Sequence, residues 1–238
     1  MTDPRLAAAL QNNIDWCDAV VRTHDGQTAL AETHWSNTVL SPPFYPNLIT
    51  RTPDHTAAQT AAVKALHDTG LEEGWGVKDA FATLDLAPLG LEILFSAQWL
   101  WRAPDKPAPS ANVPGIDWKS VTNQPRLTAW ERGFADGGEP LCIFKAPLLS
   151  DPNIAFLGGF NRDKVRAGAI FNRHAGVCGI SNVFAPNQTA TACLKAIVAR
   201  AIAFAGDLPL VTYMADDAVS DWTALGFEPL GPLRVWVA

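Results

Sequence analysis

The stretch that decides the fold occurs twice in this chain, 136 residues apart. The second copy reads Leu225-Gly226-Phe227-Glu228-Pro229-Leu230, and the first reads Leu89-Gly90-Leu91-Glu92-Ile93-Leu94. Another glycine, Gly70 or Gly206, stands twenty residues before the glycine of each copy, and residues 56–94 align with 192–230 without a gap. The identical pairs are Ala65/Ala201, Gly70/Gly206, Ala82/Ala218, Asp85/Asp221, Leu89/Leu225, Gly90/Gly226, Glu92/Glu228 and Leu94/Leu230. Because this period is far longer than that of a solenoid repeat, the spacing predicts a duplicated domain.

The bulk composition narrows the class of protein. The chain has 238 residues, of which 48% are hydrophobic, enough for one large domain or two small ones. A net charge of −6 argues against a nucleic-acid partner and against a polybasic membrane anchor. No apolar run reaches the roughly 18 residues of a membrane span, and the first residues do not form a signal peptide. We therefore expect a cytoplasmic protein that binds neither nucleic acid nor membrane.

The cysteines and histidines show no metal-site or disulfide spacing. The four cysteines contain no C-x-x-C pair, which is typical of a reducing cytoplasm. The five histidines form no ligand pair at helical or zinc-finger spacing, so no metal site is expected.

The first half reads as a helix followed by strands, a helix and further strands. Asp3 and Pro4 have the residue types of an N-cap and a first helical position, and Gly70 is the expected left-handed cap of the second helix. The pattern predicts helices over 3–23 and 56–69, a helical turn over 82–89, and strands over 28–40, 44–51, 75–81 and 91–102.

A proline-rich segment follows. Residues 103–116 contain four prolines, a density that neither a helix nor a central strand accommodates. We interpret this segment as a semi-rigid connector. The predicted organisation is a first domain over 1–102, a connector over 103–116 and a second domain over 117–238.

The second half repeats the plan of the first. Its apolar pattern predicts helices over 126–135, 191–205 and 216–225, and strands over 154–160, 165–172, 177–184, 208–214 and 233–237. The strands 165–172 and 177–184 form a predicted hairpin. The predicted fold class is α/β (α+β), with two tandem units that each have a mixed, mostly antiparallel sheet flanked by helices.

The end of the second half resembles a known superfamily. Strand 208–214, a short helix, the Gly226-Phe227 turn and a final strand occur in the order seen in the C-terminal part of GNAT (acetyl-CoA-dependent N-acetyltransferase) proteins. The resemblance covers residues 150–238 directly and residues 28–102 only through the internal repeat. It implies two tandem GNAT-like domains, of which the first is a degenerate copy and the second is the candidate for binding an acyl-CoA.

The resemblance also implies where acetyl-CoA would bind. In this family the pantetheine arm lies along a strand edge, which here is Val183, Phe184 and Ala185. The diphosphate lies on main-chain N–H groups at the start of the next helix, which here are those of Gln188, Thr189, Ala190, Thr191 and Ala192. The family's loop has the pattern Q/R-x-x-G-x-G/A. Gln188 fits it, whereas Thr191 and Cys193 stand at the positions of the small residues.

The catalytic residues of the family are not matched in this chain. The position of the usual acid tyrosine is Trp222, whose indole N–H can only donate a hydrogen bond. Strand 177–184 has no carboxylate that could serve as the base. Ser181 and Tyr213 remain as candidate catalytic residues.

Three functions remain open at this point. The first is an N-acyltransferase that moves an acetyl group from acetyl-CoA to an amine of a small molecule or a protein. The alternative is a non-catalytic GNAT-derived module that binds a small ligand or a protein. The third is an aminoacyl- or peptidyl-transferring tandem enzyme, although the sequence has no basic surface for tRNA.

Overall fold

A computed structural model describes residues 3–238 of the chain as a mixed α/β protein with two compact units. The first unit comprises the segments up to Leu100, Tyr213–Val219 and Pro229–Ala238. The second comprises Trp101–Thr212 and Ser220–Glu228. The C-terminal part of the chain therefore contributes to both units. These units are defined by which residues pack together. The domains over 1–102 and 117–238 were predicted from the sequence repeat, and that division stays a prediction.

The α-helices lie where the apolar periodicity predicts them, whereas the helical turn predicted over 82–89 is wrong for residues 82–86, because only Ala87–Leu89 form a 3₁₀ turn. The α-helices are α1 (Pro4–Arg22), α2 (Thr56–His67), α3 (Gln124–Phe134), α4 (Ala190–Ala205) and α5 (Val219–Thr223). The Asp3 carboxylate accepts the N–H of Arg5 and caps α1, as the sequence predicts. Short 3₁₀ turns cover Ala87–Leu89, Ala146–Ser150, Asn187–Thr189 and Asp216–Ala218.

The strands confirm most of the prediction and correct four parts of it, one being that the strand predicted over 44–51 is confined to Leu48–Thr50. The strands are β1 (Thr28–Leu30), β2 (His34–Asn37), β3 (Leu48–Thr50), β4 (Gly76–Asp79), β5 (Glu92–Arg102), β6 (Asp117–Val121), β7 (Ile154–Asn161), β8 (Lys164–His174), β9 (Val177–Phe184), β10 (Leu210–Ala215) and β11 (Glu228–Val237). The single strand predicted over 28–40 is wrong, because β1 and β2 are separate antiparallel strands. Strand β6 was not predicted, and β11 begins five residues before the predicted start.

The sheet of the first unit has the order β1-β2-β3-β4-β11-β5. β2 pairs with its neighbours in antiparallel fashion, and β3 pairs with β4 in parallel. The last strand of the chain, β11, pairs with β4, with Trp236 opposite Val77. The core around these strands consists of Leu48, Val63, Leu66, Trp75, Val77, Leu84, Leu86, Leu91 and Trp236.

The sheet of the second unit has the order β10-β9-β8-β7-β6. β6 to β9 form an antiparallel meander, and β10 is parallel to β9. Ala167 of β8 packs with Cys193 and Ala196 of α4. A Cβ at Gly168, the next residue, would lie against Trp130 of α3. Since neighbouring residues of a strand face opposite ways, α3 and α4 cover opposite faces of this sheet.

One described segment is apolar enough to cross a membrane by length and composition. Residues Asn187–Ala205 have a mean hydropathy of 1.2 over an 18-residue window, which corrects the expectation that no apolar segment reaches this length. The segment contains α4, whose residues Cys193, Ala196 and Ala201 are fully buried. One face of α4 packs against β8 and β9, so burial accounts for part of this apolar composition, with 39% of the window buried.

Candidate functional site

Strand β9 is buried over its first half and only half-buried over its second half. Its first four residues, Val177 to Ile180, are buried, whereas residues 181–184 are only half-buried. The parallel ladder with β10 pairs Cys178 with Leu210 and Gly179 with Val211. The Thr212 hydroxyl then donates a hydrogen bond of 2.8 Å to the carbonyl of Ile180. The buried half of β9 is therefore the half held by this ladder.

A β-bulge interrupts the second half of β9. Ser181 lies opposite Ile170 and Phe184 lies opposite Gly168, so two residues of β9 oppose Ala169 alone. Asn182 has a φ of +51°, in the left-handed region. A bulge takes main-chain groups out of the ladder and turns side chains to new directions. The Ser181 Oγ atom is buried here and has no hydrogen-bond partner in the protein.

The N-terminus of α4 follows the end of β9 directly. The 3₁₀ turn Asn187–Thr189 leads into the helix, and no side chain caps its first N–H groups. Residues 187–191 are exposed. Because the first turn of a helix has N–H groups without intrahelical acceptors and carries a partial positive charge, this end is suited to bind an anion.

A cleft of about 410 Å³ lies beside this helix end, and we call it the α4 cleft. It is lined by Ser110, Ala111, Asn112, Lys195 and residues 187–192. The structure thus brings together Gln188, Thr189, Ala190, Thr191 and Ala192 on one surface. Lys195 was not among the predicted site residues. Its position four residues after Thr191 on a helix is the sequence signal that could have identified it.

A larger cleft, of about 710 Å³, lies on the other side of the same turn, and we call it the α3 cleft. Its walls are the C-terminal part of α3, the start of β8 and residues 184–188. Phe184 and Ala185 line this cleft, and Asn187 and Gln188 line both clefts. Of the predicted strand-edge residues, Val183 lines neither one.

An aromatic cluster holds Phe184 in place. The indole N–H of Trp130 donates a hydrogen bond of 2.8 Å to the carbonyl of Leu157, which anchors α3 to β7. The Trp130 ring contacts Phe184 edge-on at 5.0 Å between centroids and stacks on Phe134 at 5.5 Å. Gly168 makes this packing possible, because a Cβ there would lie 2.5 Å from the indole nitrogen.

The neighbouring residue of α3 fixes the loop beyond the helix. Glu131 is buried, and its two carboxylate oxygens accept the main-chain N–H groups of Cys142 (3.2 Å) and Phe144 (2.9 Å). Two hydrogen bonds to a charged acceptor satisfy a carboxylate that would otherwise be costly to bury. Glu131 is therefore structural.

The two candidate catalytic residues lie in different units. Ser181 belongs to the second unit, and Tyr213 belongs to the first. The Lys78 ammonium, which is buried, lies 3.3 Å from the Tyr213 hydroxyl and 4.4 Å from the centre of its ring. Because an ammonium only donates, the Tyr213 oxygen accepts this hydrogen bond and its own proton points elsewhere. A catalytic role of either residue stays a prediction.

The structure gives core roles to several other residues with reactive groups. Trp222 is buried, with its ring 5.0 Å from that of Phe227, so the position of the family's acid tyrosine is part of the core. Burial raises the pKa of Cys178 to about 12, which leaves its thiol inert at neutral pH. Cys193 is fully buried as well. Within residues 3–238, no three His, Cys, Asp or Glu side chains form a group that could hold a metal ion.

Comparison with known proteins rests on structure alone, since no family model and no curated protein matches the sequence. A functionally unknown conserved protein from Staphylococcus epidermidis superposes with a TM-score of 0.67 at 12% identity, over 90% of this chain and 94% of that one. A GCN5-related N-acetyltransferase from Kribbella flavida gives 0.61 at 13% identity, over 95% and 94%. A tandem GNAT protein from the clavulanic acid biosynthesis pathway gives 0.55 at 10% identity, over 97% and 94%.

These likenesses extend over almost the whole of each chain, while the sequences have diverged to between 10% and 13% identity. They concern the fold, and they confirm the mixed α/β architecture expected from the repeat and the Gly226-Phe227 turn. The chain has the fold of the GNAT superfamily.

Proposed function

We propose that this protein is an acyl-CoA-dependent N-acyltransferase that moves an acetyl group from acetyl-CoA to an amine. The observation that supports it best is the uncapped N-terminus of α4, which opens onto the α4 cleft directly after the bulged strand β9. The acceptor in this reaction is an amine of a small molecule or a protein. The proposal also includes a cytoplasmic location, which is supported by the four free cysteines.

The residues of the α4 cleft fit the diphosphate of an acyl-CoA. Thr189 and Ala190 donate their main-chain N–H groups to the carbonyls of Pro186 and Asn187. The donors proposed for the diphosphate are therefore the N–H groups of Gln188, Thr191 and Ala192 together with the Thr191 hydroxyl. Lys195 supplies a positive charge on the same helix. The glycines usual in this loop are absent, but residues 187–191 are exposed, so their main chain is open to a ligand. The pantetheine arm would then follow residues 183–185 beside the unpartnered Ser181 hydroxyl.

The chemistry supplied by acetyl-CoA is an acyl group activated as a thioester. In the transfer, the acceptor nitrogen bonds to the acyl carbon as the C–S bond breaks; the nitrogen gives up a proton, and the leaving thiolate takes one. β9 has no carboxylate to receive the first proton, so we propose that the amine enters neutral or loses its proton to water. Positioning by the main chain then supplies most of the rate, since well-oriented reactants gain about 7–11 kcal/mol in favourable cases. Ser181 can order a water at this point.

A second candidate function is a non-catalytic module that binds an acyl-CoA or another anionic ligand. The burial of Trp222 against Phe227 favours it, because no side chain at that position can protonate a thiolate. Both functions use the α4 cleft to bind the ligand, but only the N-acyltransferase transfers an acetyl group.

Substitution of Thr191 tests the α4 cleft. We expect Thr191→Glu to weaken the binding of coenzyme A at least tenfold, because the new carboxylate occupies the place of the diphosphate and repels it. Thr191→Gln, a control of matched size without the charge, should stay within about threefold of wild type. The unliganded Thr191→Glu protein should be about 0.3–1 kcal/mol more stable, since an acidic residue in the first turn favours the helix dipole. Calorimetric titration and thermal unfolding measure these effects.

Pantetheine, which has no diphosphate, provides the second arm of this experiment. Its binding should be the same in both variants and in wild type. Failure of wild type to bind coenzyme A at millimolar concentration would refute the N-acyltransferase and any acyl-CoA module, and would leave only a module for a different ligand. If acetyl-CoA binds and no amine is acetylated, the N-acyltransferase function is refuted and the non-catalytic binding module remains.

A further inference from the structure

The α3 cleft has a charge and shape that the acyl carrier does not explain. It lies against residues 184–188, the same main chain that the carrier would follow in the proposed function, but on the side of α3. Its volume of about 710 Å³ is in the range of small-molecule sites. A molecule bound here would approach the acyl group from the side opposite to the α4 cleft.

The floor of the α3 cleft is aromatic. Phe134 and Phe184 line it and contact each other edge-on, with 5.7 Å between ring centres. Gly133 lets α3 lie close to β8, because a Cβ there would lie 2.7 Å from the carbonyl of Val165 and 3.1 Å from the Phe184 ring. Both phenylalanines are half-buried, so each offers part of a ring face or edge to a ligand.

A bulge in β8 brings a cation to this floor. Phe160 pairs with Val165 and Gly159 pairs with Ala167, which leaves Arg166 as the extra residue. In a regular strand Val165 and Arg166 would face opposite sides of the sheet, yet both line the α3 cleft. The bulge thus turns the Arg166 side chain to the same cleft as Val165.

The rim carries an excess of positive charge. Arg132, Lys164 and Arg166 line it together with Asp136 and Asp163, whereas the whole chain has a net charge of −6. Arg132 lies 3.8 Å from the exposed Glu139, a pair of little strength. Within the described residues, Lys164 and Arg166 have no ion-pair partner. The guanidinium of Arg166 is therefore available to bind a carboxylate or a phosphonate through two N–H groups.

We infer that the α3 cleft binds the acceptor and that this acceptor is an amine with an apolar body and an anionic group held by Arg166 and Arg132. This inference rests on the proposed N-acyltransferase function and adds the class of its substrate. The anionic group lies on the cationic rim, the apolar body lies over Phe134 and Phe184, and the amine points towards residues 184–188.

The experiment compares three amines that share one body: phenylalanine, its phosphonate analogue 1-amino-2-phenylethylphosphonate, and phenethylamine. With wild type and acetyl-CoA, we expect the two anionic amines to have a KM at least tenfold below that of phenethylamine. The one of the two with the lower KM identifies carboxylate or phosphonate as the preferred group. In Arg166→Ala and Arg132→Ala, the KM of the anionic amines should rise about tenfold at unchanged kcat, while phenethylamine changes less than twofold.

Arg126→Ala is the matched control, because Arg126 is an exposed arginine of the same helix α3 that does not line the cleft. It should leave all three KM values unchanged. An equal effect of Arg166→Ala and Arg126→Ala would overturn the inference, as would equal KM values for the three amines in wild type.

A binding measurement separates this inference from the proposed function. Calorimetric titration without acyl-CoA should show that wild type binds phenylalanine or its phosphonate analogue more tightly than phenethylamine, and that Arg166→Ala does not discriminate. This result would support binding of an anionic amine in the α3 cleft even if no amine is acetylated. Equal binding of all three amines by wild type would refute the inference while leaving acyl transfer to be judged by the experiments on Thr191.

Discussion

Each unit has a strand followed by a turn and a helix, and the two strands differ in how far they are closed. β3 leads to α2 in the first unit, and its residues Leu48, Ile49 and Thr50 are completely buried. β9 leads to α4 in the second unit, and its last four residues are half-buried. The strand before the helix is therefore completely buried in the first unit, whereas in the second unit its last half is partly exposed to solvent.

The polar groups near these strands differ in the same way. In the first unit the Asn47 side chain donates to the carbonyls of Asn37 and Val39 and accepts the N–H of Ser41. The Gln59 side chain, in the first turn of α2, donates to the carbonyls of Thr33 and Thr52. Neither α2 nor α4 has a side-chain cap, but in the second unit the Ser181 hydroxyl is unpartnered and the turn before α4 is exposed.

The two units therefore differ in how the main chain around the strand is satisfied. In the first unit, side-chain amides satisfy the main chain around the strand and the helix start, which favours stability. In the second unit the Ser181 hydroxyl has no partner and residues 187–191 are exposed, as in binding sites that keep polar groups ready for a ligand.

The largest effect is expected for Asn47→Ala. Asn47 is completely buried, and its removal breaks three hydrogen bonds to main-chain groups, of which the Val39 carbonyl keeps the Asn37 amide as a partner. We expect a loss of about 3 kcal/mol in the free energy of unfolding. Asn187→Ala, in the exposed turn before α4, should change it by less than about 0.5 kcal/mol. Urea denaturation measures both. Similar losses for the two variants would contradict the contrast between a closed and an open turn.

An intermediate effect is expected for Gly168→Ala. The new methyl group would lie 2.5 Å from the Trp130 indole nitrogen and 2.6 Å from the Phe184 ring, so the aromatic cluster must shift. We expect a loss of about 2 kcal/mol from overpacking, together with weaker coenzyme A binding because Phe184 lies at the end of β9. In a Phe184→Leu background the same substitution should cost less. An additive double mutant would show that Phe184 is not the obstacle.

The smallest effect is expected for Asp18→Asn in the first unit. The Asp18 carboxylate accepts the indole N–H of Trp35 at 2.8 Å and pairs with Arg22. Partial burial opposes its charge, but these hydrogen bonds outweigh burial and lower the pKa of Asp18 from 3.8. We expect Asp18→Asn to lower the free energy of unfolding by about 1 kcal/mol at pH 7.

The pH dependence of this effect has a definite sign. A carboxyl whose pKa is lowered by folding contributes stability above its unfolded pKa and loses it as the pH falls through the folded pKa. The difference between wild type and Asp18→Asn should therefore be constant above about pH 5 and shrink below pH 4. A difference that grows on acidification would contradict the assignment. Unfolding at a series of pH values measures it.

The sequence predicted the helices well because their signals are local. The helix α2 ends at His67 with Asp68 as its C-cap, so Gly70 lies in the turn after the helix and the predicted cap position is wrong. Gly70 and Gly90 have φ values of +74° and +84°, and Gly206 and Gly226 have +65° and +87°. A left-handed conformation favours glycine whatever the tertiary surroundings are. The apolar face of α4 was predicted for the same reason, since a period of 3.6 residues is visible within the segment itself.

The strands were predicted less well because their limits depend on distant partners. No glycine or proline marks the turn between β1 and β2, which is closed by the hydrogen bond from Ala31 N–H to the carbonyl of His34. Strand β6 is an edge strand with mostly exposed residues, so it lacks the apolar alternation that identifies a strand. β11 continues through Pro232, which strand rules place at edges or bulges.

The candidate site shows the same division. The resemblance to the GNAT superfamily predicted residues Gln188 to Ala192 as part of the site, and the structure places these residues around one cleft. Lys195, Arg166 and the aromatic floor of the α3 cleft were not predicted, because a β-bulge and contacts between distant elements bring them to the site.

The sequence by itself determined the order of the helices and most strands and the glycines in the turns that follow them, because these depend on neighbouring residues and their backbone preferences. Only the tertiary structure decided that β11 pairs with β4, that β3 is closed and that β9 is half open. The reason is physical: the pairing and burial of a strand depend on which distant segments pack against it, and local residue order does not specify those segments.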